Sequence, residues 1–240
     1  MQLPAVSGGG AVAAATTSTP ATTPAGLSGP AAALVGKDRV KAIDVSKWQG
    51  DIDWPKVAAT GVQVAYIKAT ESTDYVNANY DKDRAAANAN GITIGAYDFA
   101  QPGTAGGVEA NAKAEAAHFL ATAKVQKGDM APVLDLESHN NLSTADISTW
   151  ASTWADTVQA ATGVQPTVYV SPSFWDAHVD PSVASKFNLW VAHWDTDNPR
   201  VPSGFAGWKA HQYTSDGSVD GIAGRVDMDW VSDPASLVIR

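Results

Sequence analysis

There is no cysteine among the 240 residues. That excludes a disulfide framework, a thiolate metal site and a thiolate nucleophile, and it leaves the redox compartment open. Charged and aromatic side chains are missing from residues 1–36, which are mostly Ala, Gly, Thr, Pro and Ser. Such a composition cannot build a core. The stretch reads as a disordered leader or the remnant of an export segment, ahead of a catalytic domain over 37–240. It lacks the basic n-region of a signal peptide, and no apolar run in the chain is long enough to span a bilayer. Positive charge is scarce too: 16 Lys and Arg stand against 25 Asp and Glu, a net charge of −9, with no basic block. This balance repels phosphate backbones, so neither nucleic acid nor an anionic membrane is expected as a partner.

What the chain does contain is apolar and aromatic. Hydrophobic residues make up 45%, ample for one core. Nine tryptophans and six tyrosines suit a neutral polymer, because flat rings stack on sugar faces, although about half should serve packing alone. From Lys37 onward, short apolar runs alternate with helical stretches. Strands are predicted over residues 40–45, 62–68, 92–99, 132–136, 167–170, 189–192, 208–213 and 226–230. Helices are predicted over 79–90, stopped by Gly91, over 108–125, and over 142–162, opened by Ser143-Thr-Ala-Asp146 and closed by Gly163. Asp53-Trp-Pro55 places proline where a short helix can begin. Eight strands, the first five separated by helices, predict a single irregular β/α barrel of the TIM type, its last three strands joined by short connections. A doubly wound open sheet is the alternative, but no glycine-rich phosphate loop follows the first strand.

In such a barrel the site lies at the C-terminal ends of the strands. Those ends carry Asp44, Lys68 with Glu71, Tyr97-Asp98-Phe99, Asp135 with Glu137, Tyr169, His193-Trp194, Gln212-Tyr213, and Asp227 in the eighth strand. Packing does not explain carboxylates embedded in apolar runs, as at Asp44 and Asp227. Asp135 and Glu137 are two apart on one strand, so they share a face with Cα atoms about 6.6 Å apart. Two carboxyls in one pocket cannot both ionise freely, and an acid beside an anion is the equipment for breaking a glycosidic bond. The bland alternative is a pair of solvated acids closing a strand. No His-x-His or His-x-x-x-His pair supports a metal site; His193 near Asp195 and Asp197 is the one arguable group, and no metal or cofactor is expected. A serine nucleophile lacks its Gly-x-Ser-x-Gly elbow. Trp150 and Trp154, four apart on a helix, read as a core-facing pair, whereas Trp194 at a strand end suits sugar stacking and Trp48 is intermediate.

Five segments carry a resemblance: Ile43-Asp44-Val-Ser-Lys-Trp-Gln-Gly50, Ile67-Lys-Ala-Thr-Glu71, Gly95-Ala-Tyr97, Val133-Leu-Asp135-Leu-Glu137 and Gly224-Arg-Val-Asp227. In this order they resemble the family-25 glycoside hydrolases, the Chalaropsis-type lysozymes or N-acetylmuramidases. The resemblance implies hydrolysis of β-1,4 bonds after N-acetylmuramic acid in peptidoglycan; from that function an extracellular protein is expected, acting as a monomer. It implies that Glu137 is the general acid/base, with Asp135 beside it and Asp44 and Asp227 in the groove. It also implies that Lys68, Tyr97 and Tyr169 line the cleft. Two departures stand out: Asp98 where the family often has His, read as a further acid near the groove, and Asp229 where it commonly has Asn. Neighbouring anions at Asp135, Asp44 and Asp227 are expected to hold a proton on Glu137. The attacking group is open between Asp135, an activated water and the substrate's own acetamido oxygen oriented by Asp135, and the last is favoured. A chitinase-like hydrolase and a non-catalytic wall-binding barrel are the alternatives.

Overall fold

Eight apolar runs divided by helices and turns need both faces of their sheet covered, and the computed structural model, which describes residues 27–240, meets that need with a closed barrel. Its strands are β1 (Arg39–Val45), β2 (Val62–Glu71), β4 (Thr93–Phe99), β5 (Val133–Asp135), β6 (Thr167–Val170), β7 (Asn188–Ala192), β8 (Ala210–Gly217) and β9 (Val226–Ser232). The short β3 (Tyr75–Val76) pairs only with the end of β2, and a β1–β2 pairing closes the ring. All eight predicted strands are present.

The ring is parallel except at β9, which runs antiparallel to both β8 and β1. Only residues 218–225 connect β8 to β9, too few for the crossover that a parallel strand needs. The reversal decides where one acid goes. Asp227 opens β9 and is paired with Asp44 at the end of β1. In a parallel eighth strand it would lie at the opposite rim, so reading the chain by strand ends reaches the right place without the right reason.

Helices α1 (Trp54–Ala59), α2 (Tyr80–Ala89), α3 (Val108–Ala123) and α4 (Thr144–Thr162) cover the early strands. Their ends follow local chemistry: the Asp53 side chain accepts from the Lys56 N–H, Ser143 accepts from Asp146, and Gly163 ends α4 at φ +75°. A fifth helix, α5 (Pro172–His178), follows β6 and is capped by Ser171; seven residues are too few for a hydrophobic period to show in the sequence. The 17 residues before β8, 193–209, contain no helix, but of the connections expected to be short only 218–225 is so. Trp150 and Trp154 are fully buried between α4 and the barrel. Inside the barrel, Val40, Ala42, Val64, Tyr66, Val133 and Trp190 form a second cluster. Gly95 permits the Tyr66 ring there, since a Cβ would come within 2.3 Å of it. Residues 29–34, grouped with the leader in the sequence reading, form a 3-10 helix whose Ala31 and Leu34 are buried in this inner cluster; residues 1–26 of that leader lie outside the described residues.

Strand alternation overturns one sequence reading. Tyr97 faces the barrel interior, so Asp98 faces the helices, not the groove. It is fully buried and accepts from Thr70 Oγ1 (2.7 Å) and Trp154 Nε1 (3.0 Å). Nearby Glu115 on α3, also buried, accepts from the Gln101 N–H (2.8 Å), while its Oε2 has no donor among the described residues. Burial raises Asp98 to about 7, and burial followed by the Asp98 charge raises Glu115 to about 8. A raised pKa in the folded state means stability that is complete below the ordinary value, 4.5 for Glu115, and is lost as pH climbs towards about 8. Glu115→Gln is therefore expected to melt with a flatter pH dependence. Its melting temperature relative to the unsubstituted protein should rise by roughly several degrees between acid and mildly alkaline pH, measured by calorimetry.

Candidate active site

At the C-terminal mouth of the parallel strands, Asp44, Asp135, Glu137 and Asp227 converge with Lys68, Tyr97, Tyr169, Trp190 and Gln212 around a cavity of about 190 Å³. A larger lobe of about 530 Å³ adjoins it, lined by Ser171, Phe174, His193, Trp194 and Arg200 among others. Glu137 and Tyr169 line both lobes. They therefore stand at the junction, where a bound polymer would pass from one lobe to the next.

Each acid is held differently. Asp135 ends β5 and is buried, its Oδ1 without a donor among the described residues. Glu137, two residues on, is exposed at the rim, and its carboxyl lies in hydrogen-bond contact with that of Asp135. Burial raises Asp135 well above the usual carboxylate range, and the neighbouring Glu137 charge adds to it. Glu137 is also raised, chiefly by desolvation against the groove wall, while the Asp135 contact and Lys68 oppose the rise. This differs from the expectation that neighbouring anions hold the proton on Glu137. Withdrawal from water is the first cause of the rise at both carboxyls, and at Asp135 the Glu137 charge comes next.

Across the mouth, Asp44 accepts from Gln212 Nε2 (2.8 Å). The Gln212 Oε1 accepts from both Tyr169 Oη and Trp194 Nε1, each at 2.8 Å. One amide thus ties the floor of the small lobe to the wall of the large one. Asp227 is raised to about 6, first by burial and next, among the raising causes, by the Glu137 charge. Lys68 donates to Glu71 Oε2 (2.6 Å) and sits 4.3 Å above the Phe99 ring, placing a cation beside the Asp135–Glu137 pair.

All eight residues expected at the site thus meet in one groove: Asp44, Lys68, Tyr97, Asp135, Glu137, Tyr169 and Asp227 in the small lobe, Trp194 in the large one. Gln212 was visible as a strand-end residue but not assigned, since nothing in the sequence tells an orienting amide from a solvated one. Ser171 and Phe174 follow the end of β6 and could have been found from that position. Arg200 lies in a loop and gives no sequence signal. His193 is engaged structurally: its Nδ1 accepts from the Arg200 N–H (2.9 Å), and its carbonyl lies 2.8 Å from His211 Nε2.

Two adjoining lobes with rings on their walls, and at their junction an acid pair raised by burial, can grip a sugar chain and protonate the oxygen between two rings. That is the working arrangement of a glycoside hydrolase. The model of Glycosyl hydrolases family 25 matches residues 43–222, and the chain belongs to this family. It is 35% identical over 212 residues to Lysozyme M1 of Streptomyces globisporus, covering 83% of this chain and 70% of that protein. It is 31% identical over 150 residues to an N,O-diacetylmuramidase of Chalaropsis sp, covering 58% and 69% respectively. The crystal structure of the bacterial lysozyme from Streptomyces coelicolor superposes with a TM-score of 0.77 at 33% identity, over 83% of this chain and 96% of that one.

Proposed function

We propose that this hydrolase is an N-acetylmuramidase that cuts the β-1,4 bond between N-acetylmuramic acid and N-acetylglucosamine in bacterial peptidoglycan, outside the cell. The observation that carries the reading is the acid pair at the junction of the two lobes, in a chain of family 25 whose relatives include a lysozyme and an N,O-diacetylmuramidase.

Glu137 gives its proton to the glycosidic oxygen as the bond from the sugar's C1 breaks, and the bond's electron pair leaves with that oxygen. The acetamido oxygen of the same sugar attacks C1 from the opposite face. The donor-free Oδ1 of Asp135 suits the acetamido N–H, whose hydrogen bond would orient the group and offset its growing positive charge. Water then enters at C1, giving its proton to Glu137, and the acetamido group is released. Asp44 and Asp227 face the same sugar as hydrogen-bond acceptors. The test is digestion of purified peptidoglycan followed by identification of the sugar at the new reducing end. Muramic acid is expected; glucosamine there would overturn the reading.

Trp194, half-exposed at 50%, offers its ring to the sugar in the larger lobe. Binding shared by ground state and transition state shows in KM rather than kcat. Trp194→Ala is therefore expected to raise KM about tenfold, roughly 1.4 kcal/mol, with a smaller change in kcat. Steady-state kinetics on soluble glycan oligomers reads this directly.

A further inference from the structure

The larger lobe carries a positive charge that bond cleavage does not use. Among the residues lining it, Glu137 is the one acid and Arg200 the one lysine or arginine. Lys68, the cation of the small lobe, already donates to Glu71 (2.6 Å) and lies over the Phe99 ring. Arg200 belongs to the connection between β7 and β8, and its half-exposed side chain is fixed from two directions. The backbone N–H donates to His193 Nδ1 (2.9 Å), and Nη1 donates to Asp176 on α5. Nε and Nη2 make no hydrogen bond among the described residues. We propose that Arg200 determines specificity: the free edge of its guanidinium takes a carboxylate borne by a muramic acid on the leaving-group side of the cut.

A simpler role, tethering this connection to α5, does not need the charge. Trp175 Nε1 donates to the Ser203 carbonyl (3.0 Å), and the Ser203 N–H donates to Asp176 Oδ1 (2.8 Å), so neutral donors already join loop and helix. An ion pair this exposed adds little stability of its own. Asp176 instead holds the fork still by one nitrogen. Nε and Nη2 are left as the edge that grips a carboxylate through two parallel bonds. Charge favours the same place. The chain is at −9 overall and four acids line the small lobe, so a carboxylate on the polymer is repelled there and finds its counter-charge at Arg200.

The position fits the polymer. Asp135 lines the small lobe alone and Glu137 stands at the junction. On the muramidase reading, the muramic acid that is cut therefore occupies the small lobe, and the leaving chain runs through the large one. The alternating polymer places a glucosamine first on that side and a muramic acid second. At about 530 Å³ the lobe is of the size that holds a ligand larger than one sugar ring. Trp194 stacks on the first ring, and Arg200 meets the carboxylate hanging from the second. That carboxylate is the lactyl group itself where the sugar is bare, or one from the stem peptide where the lactyl group is amide-linked.

The inference rests on that reading only for which sugar comes second. Calorimetric binding in the Glu137→Gln background tests it. The probes are peptide-free glycan strands, the same strands with the lactyl carboxyl reduced to the alcohol, and stem-bearing strands with and without their carboxyls amidated. With Arg200 present, the charged member of one pair should bind about tenfold tighter, as for a hydrogen bond to a charged group. The advantage should shrink as salt is raised. The pair that shows it identifies the carboxylate, lactyl or peptide. Arg200→Gln should abolish the advantage, whereas Asp176→Asn, which keeps the cation, should retain it. A tether alone predicts that both variants leave the ratio of charged to neutral binding unchanged. Equal binding of charged and neutral strands, or an advantage that survives Arg200→Gln, overturns the proposal. Should Arg200→Gln not fold, Arg200→Lys takes its place: it keeps the charge without the paired edge, and an undiminished advantage refutes the assignment. If digestion leaves glucosamine at the new reducing end, the muramidase reading fails, and the comparison of charged with neutral strands still decides for Arg200.

Discussion

Glu137→Gln should lower kcat on purified peptidoglycan by about 10²–10⁴-fold, the range expected when a positioned proton donor is removed. The amide matches the carboxyl in shape but has no transferable proton, so the leaving sugar must depart as an alkoxide. Stability should hardly suffer. Glu137 is exposed at the rim of the groove, and an amide there keeps the shape of the carboxyl it replaces. The variant is therefore expected to keep its melting temperature, and it should still bind wall glycans in a pull-down assay. Unchanged lysis would refute the acid assignment. An unchanged rate would also reopen the wall-binding alternative, in which none of the groove's acids has chemistry to perform.

The second large effect concerns Asp135. If its free Oδ1 orients the acetamido group, Asp135→Asn should reduce turnover by about 10²–10³-fold, as for loss of one preorganised electrostatic partner. A glycan carrying hydroxyl in place of the acetamido group should be cut poorly by the unsubstituted enzyme as well. With that substrate, Asp135→Asn should cost little more, because the partner of Asp135 is already gone. Undiminished hydrolysis of the hydroxyl glycan would remove the acetamido route and leave Asp135 or an activated water as the attacking group. The distinction lies in which atom attacks, so it survives even if both carboxyls prove essential.

Part of this site was legible because barrel chemistry is written into short local patterns. Asp44, Tyr97, Asp135 and Tyr169 each end an apolar run, and an interior strand offers few other reasons for a carboxylate at that point. The helices with clear caps, α1 and α4, were likewise local: Asp53 before Trp-Pro, Ser143 three residues before Asp146. Asp98 misled because it sits between Tyr97 and Phe99, and adjacency in sequence becomes opposition across a strand. Only the packing of α3 and α4 shows that its partners are Thr70 and Trp154, and that its neighbour is Glu115.

The sequence by itself determined the eight barrel strands, the acids at their ends and the family, because each depends on residues close together in the chain. The tertiary structure alone decided the relations that chain closure creates. The reversal of β9 sets Asp227 opposite Asp44, and Gln212 reaches Asp44 across 168 positions of sequence. Asp229 comes to be wholly buried opposite Ala42, with one oxygen lacking a donor among the described residues. Protonation also belongs to this second group. A carboxyl's charge depends on how much water and which dipoles surround it, and those are properties of the folded groove that no spacing along the chain records.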